Sequence, residues 1–340
     1  MRKLLNTLYV TNEQAYLELD GGNIVCRIEG KQVFRVPFDN IEAIVSFAYV
    51  GCSPALMGAC VSRKIPISFI SPRGKFQAKL SGETKGNVFL RVAQIDCFRV
   101  QSLMLAQHTM AAKFANSIKV IKRTQHDNAR LRQSEALQKA VAVLKEGIDS
   151  AYAANSAEML LGVEGNCARA YFSVFGQLII NKTVPFVFQY RNKRPPLDPI
   201  NALLSFVYTL ATTEYAAALE SVGLDSAIGY YHTLRSGRAS LACDLVEEAR
   251  CIVERFVLTI VNLKIVGEKD FERQISGAVW LNEDGRKKVL TKWQEKKRTT
   301  MQHPFLKQKI QFGLLPYVQA NLLAKYIRGD LKDYPCFLAK

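Results

Sequence analysis

Several motifs that mark common enzyme classes are missing from this sequence. The chain contains no GxxxxGK[ST], GxGxxG, HExxH or GxSxG pattern. These patterns build the phosphate, dinucleotide, zinc and serine-nucleophile sites of large enzyme families. The sequence therefore gives no indication of ATP, nicotinamide or serine-hydrolase chemistry.

Paired cysteines are also missing. The eight cysteines include no CxxC pair and no other paired metal spacing, and most of them, such as Cys26, Cys60 and Cys243, have apolar neighbours. Small apolar thiols of this kind are typical of buried positions in a reducing compartment. We expect reduced cysteines and a cytoplasmic protein.

Long uninterrupted apolar runs are absent as well. The longest apolar stretches are broken by Asn, Lys or Arg before they reach the ~20 residues that a membrane span requires. The basic start is followed by a short apolar run that Asn6 and Thr7 interrupt, which is unlike a signal peptide. The sequence therefore predicts no membrane partner.

Positive charge is what the sequence has in excess. Against 30 acidic residues stand 46 Lys and Arg, for a net charge of +16. An imbalance of this size favours a phosphate-rich partner, either nucleic acid or a lipid surface. Solubility alone is the simpler explanation, and no basic, aromatic amphipathic helix favours the membrane.

The patterning divides the 340 residues into two domains. Short alternating segments separated by Gly turns predict a small N-terminal β-sandwich over residues 1–82, ending in the polar linker Ser81–Gly86. Within it, Ser53 and Pro54 predict the start of a short helix. Beyond it, residues 83–340 predict a larger all-α domain, so that the fold class is α+β. The expected helices cover about 88–122, 130–150, 156–180, 199–222, 240–266, 284–298 and 303–328. The Pro- and Arg-rich segment between 182 and 199, with Arg191–Pro196 at its centre, predicts a mobile loop that becomes ordered on binding DNA.

The predicted helix from Ser240 carries three acids in an apolar context. Ser240 is expected to be its N-cap, and acids near a helix N-terminus interact favourably with the helix dipole. However, Asp244, Glu247 and Glu248 are spaced so that they share one face of a helix that is apolar on nearly all sides. Buried carboxylates are costly unless they are paired or bind a cation.

Two other stretches offer partners for these acids. His232 lies in the loop before the helix, although a single loop histidine is often incidental. Glu164 lies in another apolar helix beside Gly162 and Gly165, each of which costs a helix roughly 0.5–1 kcal/mol relative to Ala. Close helix packing explains such glycines as well as the close approach of a ligand does.

A Glu, a His and an Asp or Glu would together form a site for a divalent cation. Oxygen-rich ligation suits Mg²⁺, and one imidazole shifts the preference towards Mn²⁺. Arg235, Arg238 and Arg250 lie near these residues in the sequence, where they would bind phosphates or pair with the same acids.

Three stretches resemble the CRISPR-associated integrase (Cas-one) family of spacer acquisition, and the detail is most similar to its I-C branch. They are LLGVEGNCARAYF, RPPLDPINALLSFVY and GYYHTLRSGRASLACDLVEEAR, in the family's order and spacing. The N-terminal AIVSFAYVGCSPALMGACVSRKIPISFIS is similar to the family's strand–helix–strand passage. The resemblance covers essentially the whole chain.

The resemblance implies a metal-dependent DNA integrase and endonuclease. In that family the β-domain forms a homodimer, and two such dimers flank a dimer of the small Cas-two protein. The assembly joins the 3′-hydroxyl ends of a short double-stranded DNA to the CRISPR leader–repeat by transesterification. In some systems an accessory nuclease trims the ends.

Carried over by position, the family's metal ligands fall on Glu164, His232 and Glu247. These residues are therefore the expected catalytic residues, with Mg²⁺ or Mn²⁺ as cofactor. Asp244 is a near neighbour of the metal, and the presence of Glu248 leaves open which of the three acids binds it directly.

The basic run Gly285–Arg298 predicts a surface that binds DNA. Lys288, Lys292 and Lys296 form one stripe at helical spacing, and Arg286, Lys287, Lys297 and Arg298 extend it, although a solvated helix face explains the pattern equally well. The alternative function is a non-catalytic DNA-binding scaffold whose acids only pair with arginines.

Overall fold

The computed structural model describes residues 6–80, 88–181 and 186–339. Seven strands and one helix come first along the chain, followed by seven helices and two short hairpins. The predicted linker Ser81–Gly86 and the domain boundary after residue 82 lie outside the described residues. The boundary therefore stays a prediction.

The N-terminal region contains two sheets. Its elements are β1 Thr7–Val10, β2 Ala15–Asp20, β3 Asn23–Ile28, β4 Lys31–Pro37, β5 Ala43–Ser46, α1 Pro54–Ser62, β6 Ile67–Ile70 and β7 Phe76–Leu80. Strands β2, β3 and β4 form an antiparallel sheet, and the second sheet has the order β1-β5-β6-β7 with two parallel pairs. Alternating residues such as Leu17, Ile24 and Ile67 are buried in one core. The predicted start of α1 is confirmed, since Ser53 accepts a hydrogen bond from the Leu56 amide.

The C-terminal region is mostly helical, which confirms the expected fold class. Its helices are α2 Val88–Asp127, α3 Glu135–Ala153, α4 Ala157–Phe175, α5 Pro199–Ser221, α6 Ser240–Asn262, α7 Glu283–Arg298 and α8 Leu315–Ile327. The strictly all-α expectation is wrong, because two hairpins interrupt the helices. They pair β8 Phe271–Arg273 with β9 Val279–Leu281, and β10 Thr300–Gln302 with β11 Lys309–Gln311.

Helices α2, α5 and α6 form the centre of this region. Helix α6 packs against both α2 and α5, and most of its residues are buried. Helix α5 is long and apolar enough to cross a membrane, but 67% of the relevant window is buried inside the fold, as in the core helix of a soluble protein.

Basic residues connect the two regions. Lys297, 4% exposed, contacts Glu214 at 2.9 Å and Thr7 at 3.3 Å, and Arg286, 5% exposed, donates to the Pro72 carbonyl at 3.2 Å. These two side chains therefore do not extend the predicted surface stripe, because they are used inside the protein.

Candidate active site

The loop before α6 is held by Asp244, which is fully buried. One carboxylate oxygen accepts from the Tyr230 and Tyr231 amides at 2.7 and 3.1 Å. The other accepts from the His232 amide at 2.9 Å and lies 2.6 Å from His232 Nδ1. Since a carboxylate accepts, Nδ1 carries a proton, and Nε2 is the ring nitrogen that faces away from Asp244. Nε2 has no hydrogen bond among the described residues, and the side chain is 29% exposed.

The start of α6 differs from the sequence prediction. Ala239 occupies the N-cap position, and no side chain caps the helix. Ser240 is the first helical residue, and its hydroxyl donates to the Thr233 carbonyl at 3.2 Å. The predicted Ser240 N-cap is wrong, because the Ser240 hydroxyl bonds to Thr233 and Arg238 of the preceding loop and not to an amide of α6.

Two further carboxylates meet at one cation. Lys113 of α2 lies 2.7 Å from Glu164 of α4 and 2.7 Å from Glu247 of α6. Glu164 also accepts from the Tyr231 hydroxyl at 2.5 Å, and Glu247 is 2.5 Å from Arg250. Three helices that are far apart in sequence therefore place two acids around one ammonium group.

Both acids are held in the ionised form. Burial raises the pKa of Glu247, but Arg250 and Lys113 outweigh burial and lower that pKa to about 2. Burial likewise acts to raise the pKa of Glu164, and Lys113 brings it below its ordinary value. Both carboxylates are thus anionic at neutral pH.

Glu248 takes no part in this cluster. Its carboxylate accepts from the Tyr334 hydroxyl at 2.7 Å, the Gln319 side chain at 2.8 Å and the Phe337 amide at 2.7 Å. Asp244, Glu247 and Glu248 are all buried as expected, yet each contacts a different part of the chain.

The donors around Lys113 fit a divalent cation by their chemistry. Glu247 Oε2 is buried, and its polar contact within the described part of the chain is the Lys113 ammonium at 2.7 Å. Two carboxylates with a neighbouring imidazole are ligands that Mg²⁺ and Mn²⁺ accept. Among the described residues, no group of three or more Asp, Glu, His or Cys side chains is already arranged as a metal site.

The three predicted phosphate-binding arginines differ in their surroundings. Arg235 is exposed, and Arg238 is bound to the loop through the Thr233 carbonyl and the Ser240 hydroxyl. Arg250 pairs with Glu247 and stacks on the Tyr208 ring, 4.4 Å from its centroid. Of the two roles expected for these arginines, phosphate binding and ion pairing with the acids, the structure therefore shows ion pairing at Arg250.

A cavity of about 410 Å³ adjoins Lys113 and Glu164. Its lining includes Arg191, Lys193 and Arg250, so positive side chains are concentrated there. Partial desolvation of its ammonium and the neighbouring Arg250 and Arg191 lower the pKa of Lys193 from its ordinary value, although the residue as a whole is exposed. A cavity with this excess of cations is suited to an anionic group.

The segment that forms one wall of this cavity was expected to be a mobile loop. Its described part is irregular, but it is anchored to α5: Arg191 donates to Asn201 at 2.7 Å and to Ser205 at 3.1 Å. The Asn192 side chain in turn accepts from the Leu197 amide at 2.7 Å. Residues 182–185 lie outside the described ranges.

The predicted DNA-binding stripe lies on α7. Lys288 contacts the buried Asp270 at 2.6 Å, whereas Lys292 pairs with the exposed Glu295 at 2.8 Å. The role of both lysines in DNA binding stays a prediction.

Lys113 and Tyr231 were missed by the sequence analysis. Lys113 lies in a 40-residue amphipathic helix with several other lysines and arginines, so nothing in the local pattern distinguishes it. Tyr231 directly precedes His232, and its position in that loop was the available signal.

The fold is shared with two solved structures. A Cas1 protein from Thermotoga maritima superposes with a TM-score of 0.81 at 22% identity, covering 96% of this chain and 97% of that one. A casposase bound to its integration product gives 0.84 at 20% identity, covering 97% and 92%. At these identities the likeness concerns the fold alone.

Sequence comparison gives the family. The model for CRISPR associated protein Cas1 matches residues 8–295. The chain is 43% identical to the CRISPR-associated endonuclease Cas1 2 of Rhodospirillum rubrum, with 98% of each covered, and 40% identical to the CRISPR-associated endonuclease Cas1 1 of Chlorobaculum tepidum, with 99% of each covered. It is 32% identical to a CRISPR-associated exonuclease Cas4/endonuclease Cas1 fusion of Geobacter sulfurreducens, covering 98% of this chain and 60% of that protein. The chain therefore belongs to the Cas1 family, which confirms the resemblance to that family seen in the sequence.

Proposed function

We propose that this chain is the metal-dependent DNA integrase and endonuclease of CRISPR spacer acquisition. The observation that carries the proposal is the meeting of Glu164 and Glu247, from separate helices, around one cation, with the His232 loop bound to Glu164 through Tyr231. The names of its relatives, which are CRISPR-associated endonucleases, support the same activity. The I-C assignment is part of the proposal and rests on the sequence resemblance alone.

In this proposal Glu164, His232 and Glu247 hold one Mg²⁺ or Mn²⁺ ion. Such an ion would polarise the phosphodiester under attack and favour ionisation of the attacking 3′-hydroxyl. Asp244 fixes the proton on His232 Nδ1, so that Nε2 points its lone pair away from Asp244. The cationic cavity lined by Arg191 and Lys193 orients the phosphate backbone.

The glycines beside Glu164 support the approach of DNA. A Cβ at Gly162 or Gly165 would meet nothing within 4 Å, so close helix packing within the described chain does not require them. Their bare backbone instead leaves the surface beside Glu164 open to a ligand.

The partners follow from the same proposal. They are double-stranded DNA, a second copy bound through the β-domain, a Cas2 dimer and, in some systems, an end-trimming nuclease, all in the cytoplasm. The fusion of a related Cas1 to a Cas4 exonuclease supports the last of these.

A non-catalytic DNA-binding scaffold is the second candidate. The ion pairs of Glu247 with Arg250 and of both acids with Lys113 favour it, because a scaffold needs nothing more from these carboxylates.

Strand transfer on a branched DNA with a free 3′-hydroxyl separates the two functions. We expect joining in Mn²⁺ and none in chelator, with and without added Cas2. Glu164→Gln and His232→Ala should each lower the rate on the order of 100-fold or more, the scale seen when one group that stabilises transition-state charge is removed. Glu158→Gln, an exposed acid in the first turn of the same helix, is the control. DNA binding without joining under every condition would favour the scaffold.

A further inference from the structure

Lys113 stands at the position that a metal ion would share between the two carboxylates. Its ammonium contacts Oε1 of Glu164 and Oε2 of Glu247, both at 2.7 Å, and its side chain is 11% exposed. The residue comes from α2, which carries none of the three stretches that indicated a metal site. It is a largely solvent-shielded cation in contact with both proposed carboxylate ligands.

Two carboxylates that face each other repel, and the repulsion grows where solvent is largely excluded, as it is at the buried Glu247 and the half-buried Glu164. Arg250 offsets the charge of Glu247 at its other oxygen, Oε1, which lies 2.5 Å from the guanidinium. Within the described residues, Arg250 makes no ion pair with Glu164. Lys113 is therefore the side chain that neutralises the pair jointly. A divalent ion bound by the same two oxygens would take over this role with twice the charge.

We propose that Lys113 is a built-in substitute cation that keeps the two carboxylates together without metal and is displaced when the metal binds. The inference rests on the proposed function, because it needs a metal site at Glu164 and Glu247. One ammonium and one metal ion cannot both occupy the contact with Glu164 Oε1 and Glu247 Oε2. The flexible stem of lysine lets the ammonium turn into the adjoining cavity, which Lys113 also lines.

The main alternative is a permanent structural ion pair. A permanent pair would leave metal affinity unchanged, or weaken it, when Lys113 loses its charge, since the ligands would lose their support. A displaceable cation competes with the metal, so the loss of its charge strengthens metal binding. The two roles thus predict different results for the same measurement: tighter metal binding for a displaceable cation, and unchanged or weaker binding for a permanent pair.

The experiment is Mn²⁺ titration of the DNA-free protein, with free Mn²⁺ followed by electron paramagnetic resonance. We expect Lys113→Met to bind Mn²⁺ at least ~10-fold more tightly than the unchanged chain. Lys113→Arg, which keeps the charge, should bind equally or more weakly. Lys122→Met, an exposed lysine on the same helix, is the control for charge loss and should change nothing.

A second measurement, the melting temperature, tests the inference even if Lys113→Met folds poorly without metal. Lys113→Met should melt below the unchanged chain in chelator and recover as Mn²⁺ is added, because bound metal stabilises the folded state by mass action. Glu164→Gln combined with Lys113→Met removes one charge of each sign and should melt in chelator above Lys113→Met alone.

The outcomes separate the inference from the function on which it rests. Unchanged or weaker Mn²⁺ binding by Lys113→Met, with normal binding by the unchanged chain, overturns the inference and leaves the proposed function standing. Failure of the unchanged chain to bind Mn²⁺ removes the metal site and the inference with it.

Discussion

Gly229 is the residue whose replacement tests the support of His232 most directly. A Cβ at this position would lie 2.5 Å from Asp244 Oδ2 and 2.9 Å from the Ser240 carbonyl carbon. We expect Gly229→Ala to push the Asp244 carboxylate away from the loop and to destabilise the fold by about 1–3 kcal/mol, the range for overpacking. Because Asp244 holds His232 Nδ1, strand transfer should fall as well.

The measurement is the melting temperature together with the joining rate, at a temperature where the variant is folded. Gly58→Ala is the matched control, since a Cβ there meets nothing within 4 Å. Wild-type stability and joining in Gly229→Ala would mean that the contact relaxes without cost and that Asp244 does not orient His232.

At the residue scale the sequence predicted burial better than partnership. The apolar context of α6 correctly indicated that Asp244, Glu247 and Glu248 are buried. Helical spacing put these acids on one face of α6. It could not indicate their partners, such as Lys113 and Tyr334, because each partner lies more than 80 residues away in sequence from the acid that it contacts. The catalytic roles of these acids stay predictions, because the geometry allows both metal binding and ion pairing.

The segment after α8 connects the helices that carry the site. The Phe337 amide donates to Glu248 at 2.7 Å, and Asn116 of α2 donates to the Phe337 carbonyl and accepts from the Ala339 amide, each at 2.8 Å. Asn116 is three residues from Lys113, and Glu248 is next to Glu247. The segment therefore ties α2 to α6 close to the candidate active site.

His303 provides a pH-dependent element behind this segment. It is fully buried, its Nδ1 accepts from the Leu306 amide at 3.2 Å, and its Nε2 lies 2.9 Å from Gln319 Oε1. Gln319 in turn donates to Glu248 and Tyr334. This arrangement needs a neutral ring with the proton on Nε2, and burial accordingly lowers the pKa of His303 below its ordinary 6.5.

The sign of the pH effect follows from that lowered pKa. A base whose folded pKa is depressed stabilises the folded state above its unfolded pKa, and this stability is lost as the pH falls through the folded value. We expect the contribution of His303 to the free energy of unfolding to decline below about pH 6.5, whereas Glu248, whose pKa burial raises to about 7, contributes a slope of the opposite sign. His303→Gln should remove the decline and leave the Glu248 contribution. Urea unfolding at several pH values measures it, with the exposed His126→Gln as control. An equal slope in His303→Gln would assign the decline to other groups.

At the element scale, periodicity was sufficient for the long helices but not for short strands. The run predicted over 284–298 is α7 within one residue, and the run over 240–266 is α6 with a shorter end. The helix predicted over 303–328 begins only at Leu315, because β10, β11 and their turn occupy the residues around His303. Strands of three residues carry too little alternation to be recognised.

At the scale of the whole molecule, the net charge of +16 serves two purposes. Part of it is internal: Lys297 and Arg286 connect the helical region to the strands, and Lys113 joins two acids. The remainder lies at the surface and in the cavity beside Glu164. Composition alone could not distinguish these uses, since a lysine contributes equally to net charge wherever it lies.

The surface share of this charge is tested on α7. Lys292→Glu should weaken DNA binding across sequences and lower the log–log salt slope by about one unit for each phosphate that is no longer neutralised. Lys288→Glu should weaken DNA binding and also destabilise the fold, because the buried Asp270 would lose its partner at 2.6 Å and face a second carboxylate. DNA affinity at several salt concentrations and the melting temperature separate the two effects.

Lys31→Glu, the same charge change at an exposed position of the β-domain, is the control. If it weakens binding as much as Lys292→Glu, net charge rather than the α7 face attracts DNA; if Lys292→Glu alone does so, DNA lies along α7.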